Sequence, residues 1–157
     1  MTQPAIAPVR SGESRAGGLF RMLNGSFQVK VNGDDSHGQL AIFDTERFER
    51  GGPPLHYHTL EDEWFLVTDG VFDFHVGGVE HRLMTGDSIL GPRGVPHAFT
   101  NVSETGGLLI AFTPAGRMEQ FFRTIAGLDR PSPPEFNRIS GEFGMPVVGP
   151  PLPIRDV

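Results

Sequence analysis

The chain is 157 residues long, one domain's worth, and carries 13 basic against 19 acidic residues for a formal net charge of −6. That balance, without any block of like charges, excludes the basic patches that nucleic acids and anionic membranes select. The absence of cysteine removes disulfides, thiolate nucleophiles and Cys-ligated metal sites, while 13 Phe and 38% hydrophobic residues are too apolar for a disordered chain, in spite of 21 Gly and 14 Pro.

Residues 1–17 are rich in Pro, Ser, Gly and Ala without periodicity and read as a flexible N-terminal arm, leaving 18–157 as a single domain. The first 18 residues hold no apolar stretch of the kind a secretory leader needs. The longest apolar run, Leu108 to Phe112, is too short to span a bilayer, so a cytoplasmic protein is expected. From Gly18 the texture becomes short alternating stretches: Leu19–Leu23, Phe27–Val31 and Gln39–Phe43, broken at Asn24-Gly25 and Asn32-Gly33. A second series comprises Glu63–Thr68, Val71–Val76, Val79–Met84, Ser88–Leu90, His97–Val102 and Leu108–Phe112. Gly77-Gly78 between two of these runs predicts a two-residue hairpin. About nine short strands at this spacing predict an all-β sandwich, jelly roll or barrel.

After Phe112 the period changes. Met118, Phe121, Phe122 and Ile125 fall at i, i+3, i+4 and i+7, one face of a helix that Gly127 ends. Ser132-Pro-Pro-Glu135 has the form of a helix start, with Ser as cap and Pro in the first turn, and Phe136, Ile139 and Phe143 then share a face. The expected role of this helical extension, from about residue 115, is to cover an open end or sheet face. No internal repeat and no domain boundary is visible.

The chemistry lies in four residues: His56, His58 and Glu63 in GGPPLHYHTLEDE, and His97 in GPRGVPHAFTN. Side chains at i and i+2 of a strand share a face, so His56 and His58 project together while Tyr57 projects away. Glu63 follows a bend and can add a carboxylate from the next strand, and the Pro-Arg-Gly-Val-Pro turn aims His97. Three nitrogens and one oxygen suit a borderline divalent metal.

These two segments resemble the two motifs of the cupin superfamily. The first reads His-x-His, four residues, Glu63, six residues, Gly70, with Arg50 at the position six before the first His where the family usually has Gly. The second reads Gly86, five residues, Pro92-x-Gly94, two residues, His97, three residues, Asn101. The short stretch between them, Val71 to Thr85, and the closing GPPLP tail are similar to single-domain bacterial cupins (monocupins) of the quercetin 2,3-dioxygenase-like type. The resemblance implies a double-stranded β-helix, a cupin jelly-roll barrel with one or two short C-terminal helices. It also implies one divalent ion (Fe, Mn, Ni, Co, Cu or Zn) held by His56, His58, Glu63 and His97.

By the same resemblance the activity expected is a dioxygenase acting on a flavonol-like or other enolisable aromatic small molecule, with Glu63 both ligand and catalytic base. Two other classes fit the same residues: a non-oxidative isomerase, lyase or decarboxylase, and a non-catalytic small-molecule-binding cupin. Phe65 shares the parity of Glu63 and Phe99 that of His97, which makes them pocket candidates, with ordinary core as the alternative. His75 and His81 read as solvent-facing strand residues, His37 as a turn residue, and Trp64 as packed between sheets or at an interface. Asp34, Asp35, Glu61 and Asp62 read as solvated loop carboxylates, with Asp62 near enough in sequence to support a ligand. The family is commonly dimeric, and pairing hides an unpaired edge strand, so a homodimer is expected, with no nucleic acid or membrane partner.

Overall fold

The computed structural model describes residues 6–15, 17–22 and 24–157. Met1–Ala5, Ala16 and Leu23 lie outside the described residues, and with them part of the expected arm and the end of the first expected strand. In chain order the elements are β1 (Phe20–Met22), β2 (Gly25–Val31), β3 (Ala41–Arg47), β4 (Pro54–His56), β5 (Asp62–Asp69), β6 (Val71–Val76) and β7 (Val79–Met84). There follow β8 (Ser88–Gly91), β9 (His97–Asn101), β10 (Gly106–Thr113), α1 (Met118–Ala126), α2 (Pro133–Glu142) and β11 (Val147–Pro151). Among these residues no helix is long and apolar enough to cross a membrane.

The strands form two antiparallel sheets, ordered β1-β2-β3-β10-β5-β8 and β11-β4-β9-β6-β7, the arrangement of a jelly-roll barrel. Alternation drives it. On β5 Glu63, Phe65 and Val67 are buried while Asp62, Trp64 and Leu66 are only partly covered, and on β6 Phe72 and Phe74 are buried. Rings from the two sheets then meet: Phe65 lies 5.1 Å from Phe74 and 5.7 Å from Phe99. Each such side chain contributes roughly 1.5–3 kcal/mol by leaving water. Val76 and Val79 pair across Gly77-Gly78, whose φ values of 59° and 87° are those of a type I′ turn.

The helix α1 buries Met118, Phe121, Phe122 and Ile125, and Gly127 caps it. Phe122 sits 4.8 Å from Phe27 and 5.1 Å from Phe43, so the helix closes the barrel over the first sheet. At α2 the Ser132 hydroxyl accepts the Glu135 backbone N–H at 3.3 Å. Within the segment expected to be a loose arm, Arg15 N–H donates to Val29 O at 2.8 Å and Ser14 Oγ accepts Val29 N–H at 2.9 Å, so residues 14–15 lie along β2.

Two strands lie outside the sequence reading, and the third runs well past its expected end. The bounds of β4 and β11 fall in Gly/Pro-rich segments. Proline cannot donate to a ladder, yet β11 tolerates Pro150 and Pro151 because it is the edge of its sheet. The third strand continues past Phe43 through Asp44-Thr45-Glu46-Arg47. Its inward positions there are Thr45 and Arg47, polar residues that hide the alternation.

Candidate metal centre and its cavity

Three elements and one bend bring the four residues together. His56 ends β4 and pairs in register with His97, the first residue of β9. His58 lies two residues beyond β4, in a segment pinned by Gly94 N–H donating to His58 O at 2.7 Å and by Thr59 N–H donating to Gly144 O at 3.0 Å. Glu63 points inward from β5 opposite Gly91. A Cβ at Gly91 would stand 3.0 Å from His97 Nδ1, so the bare glycine leaves room for the imidazole.

One ligand atom from each of His56, His58, Glu63 and His97 lies within 4.8 Å of all the others. Glu63 Oε2 is 2.9 Å from His58 Nε2 and 2.8 Å from His97 Nε2. The outer nitrogens are engaged: His56 Nδ1 is 2.7 Å from Pro54 O, His97 Nδ1 is 3.2 Å from Val95 O, and His58 Nδ1 is 3.3 Å from Glu61 Oε1. An acceptor at Nδ1 holds the proton there and turns the Nε2 lone pair inward, the tautomer a metal requires. His58 Nε2 is buried without a well-directed hydrogen bond, although it lies beside Glu63. Four convergent donors with one left unsatisfied fit a divalent transition metal, and the group is able to hold such an ion.

The charges follow from this crowding. Burial lowers His56 to about 4, helped by the neighbouring His97. Burial also pulls down His58, but the Glu63 carboxylate beside Nε2 and the hydrogen bond to Glu61 outweigh it and raise His58 to about 9. Burial would raise Glu63, yet His58 and His97 hold it well below the usual carboxylate range.

His56, His58 and Glu63 open onto a cavity of about 540 Å³ that runs under α1 and α2. Phe99 lines it, with Phe27, Phe121, Phe122 and Phe136. Phe65 does not: it is 1% exposed, its ring enclosed by Phe74, Phe99 and His97, because it stands one step deeper on β5 than Glu63. Glu61, read from sequence as a solvated loop carboxylate, is 3% exposed and carries the hydrogen bond to His58. Its neighbour Asp62 turns outward instead, accepts Arg93 N–H at 2.8 Å, and is held below its ordinary range by the Arg93 guanidinium and backbone. Trp64 is half-buried on the outer face of β5.

Residues 45–112 match the family model of the cupin domain. It is 36% identical over 55 residues to protein SchB of Streptomyces halstedii, covering 35% of this chain and 40% of the relative. It is 45% identical over 49 residues to oxidoreductase iacF of Pestalotiopsis fici, covering 31% and 24%. The chain thus spans less than half the length of either relative. A solved structure from Thermotoga maritima, described as a predicted oxalate decarboxylase, shares the fold at 16% identity with a TM-score of 0.61, covering 69% of this chain and 99% of its own.

Proposed function

We propose that the chain is a metal-dependent dioxygenase of the quercetin 2,3-dioxygenase-like type, acting on a flavonol-like or other enolisable aromatic molecule. The observation that carries this reading is the meeting of four ligand atoms with an aromatic-walled cavity of about 540 Å³, the size range of sites for small organic ligands. Kinship with a relative named as an oxidoreductase favours redox chemistry over the other cupin activities.

A divalent metal held by His56, His58, Glu63 and His97 supplies Lewis acidity toward a substrate hydroxyl and, where redox-active, electron exchange with O₂. Glu63 is charged, buried and turned to the cavity, so it starts in the form that accepts the hydroxyl proton. The aromatic walls orient a flat substrate and exclude water from the proton transfer.

The test is oxygen uptake by metal-loaded protein against a panel of flavonols, catechols and diketones, with ¹⁸O₂ to label the products. Uptake that places both oxygen atoms in product, and falls to background in Glu63→Ala, is the expected result. Equal turnover under strict anaerobiosis assigns the site to non-oxidative chemistry, and ligand binding without product assigns it to a binding module. Unchanged turnover in Glu63→Gln removes the base role. The chain is further proposed to form a homodimer, since β7 is a sheet edge exposed along most of its length. A monomeric mass in light scattering contradicts this.

A further inference from the structure

The cavity that holds the metal ligands contains a second chemical group that the dioxygenase reading does not use. Arg47, the last residue of β3, lines the same cavity and is 4% exposed. It forms no ion pair among the described residues. Its contacts are a 3.4 Å hydrogen bond from Nε to Glu46 O and the face of Phe27, with the guanidinium carbon 5.3 Å from the ring centroid. Nη2 is buried and has no partner. The nearest carboxylates in sequence, Glu46 and Glu49, are both exposed, and Arg50 is paired with Asp156 on the surface.

The fold makes space for this side chain. Arg47 pairs in register with Gly25 on β2 and with Gly106 on β10. A Cβ on Gly25 would collide with the guanidinium, so the charge occupies the place that a side chain there would fill. An unpaired charge in an apolar site is costly, and a fold retains one where something else completes it.

We propose that Arg47 is the seat for a carboxylate on the substrate, which therefore spans the cavity from the metal centre to the end of β3. This rests on the reading of the cavity as a substrate site, and it narrows the enolisable aromatic molecule to an aromatic acid. A carboxylate matches the planar fork of one guanidinium with one charge and two oxygens. A phosphate monoester would bring nearly two charges to a single arginine among phenylalanines. Burial lowers the Arg47 pKa only to about 10, which leaves the guanidinium charged at neutral pH.

The test is calorimetry at pH 7 with 2-naphthoate, its neutral analogue 2-naphthamide and 2-naphthyl phosphate, on the full chain both metal-free and zinc-loaded. Wild type should bind the acid at least tenfold tighter than the amide in both forms. Arg47→Met should lose that preference while keeping its affinity for the amide, and Arg47→Lys should keep part of it. Arg47→Met should melt at or above the wild-type temperature, because the charge it removes has no partner. Equal affinity for acid and amide in wild type, no binding of the acid at millimolar concentration, tighter binding of the phosphate, or a preference that survives Arg47→Met would each overturn the proposal. So would a preference confined to the zinc-loaded form. Oxygen uptake is not part of these measurements, so failure of the dioxygenase reading and failure of the carboxylate seat are seen separately.

Discussion

The two ends of the cavity are built on opposite principles. At the metal end every imidazole is held from behind, by Pro54 O, Val95 O or Glu61, and all three face one carboxylate. At the other end the buried Arg47 guanidinium rests on a phenylalanine ring and a single carbonyl. The first arrangement suits an ion held in fixed geometry. The second leaves a buried charge with no ion pair among the described residues, the place proposed above for a substrate carboxylate.

The strongest way to break the contrast is at Glu63. Glu63→Ala should abolish both high-affinity metal retention and oxygen uptake, read by elemental analysis after dialysis and by the oxygen electrode; metal retained at one equivalent per chain would contradict its place in the site. Next comes Glu61. Glu61→Ala leaves four ligands but frees His58 Nδ1, and metal affinity measured by chelator competition should fall roughly 10–100-fold.

The pH profile sharpens the same end. His56 falls to about 4 on folding, so the unfolded chain binds more protons between pH 4 and about 6.5, and stability rises with pH there. His58 rises to about 9, so its contribution is fully present below about 6.5 and is lost as pH climbs to 9. The metal-free protein should therefore melt highest near pH 6.5 in a thermal scan. Metal binding displaces the His58 proton and should remove the alkaline decline. A metal-free profile that is flat from pH 4 to 9 would contradict the coupling. The smallest effect belongs to Asp62. It pairs with Arg93 where both side chains are substantially solvent-exposed, so Asp62→Asn should leave metal affinity within about twofold and cost no more than about 1 kcal/mol by denaturant titration.

Glu61 and Asp62 also show where the sequence stops speaking. The spacing of His56, His58, Glu63 and His97 is legible because strand parity and two turns place them almost unaided. Which acid in Thr-Leu-Glu-Asp-Glu turns inward is a property of the bend after His58 and of Gly116, where a Cβ would crowd the Glu61 carboxyl at 3.0 Å. Gly116 is remote from the motif, and the bend takes its shape from contacts outside it, such as Thr59 N–H to Gly144 O. Arg47 is hidden for another reason: its strand carries polar residues inward, and a polar alternation looks the same whichever face is buried. Likewise β4 and β11 pair despite their prolines because one is held by His97 across from His56 and the other lies at an edge. The depth of Phe65 against the openness of Phe99 depends on how the two sheets stack, which parity along one strand does not specify.

One cation gripped by three imidazoles and one carboxylate is the proposal on which the assigned chemistry depends. X-ray absorption at the metal edge of protein loaded with one equivalent of nickel or manganese tests it directly. The prediction is three imidazole nitrogens, one carboxylate oxygen, and at least one exchangeable oxygen that a bound substrate displaces. A shell with fewer than three imidazoles, or one with no exchangeable oxygen, would contradict it.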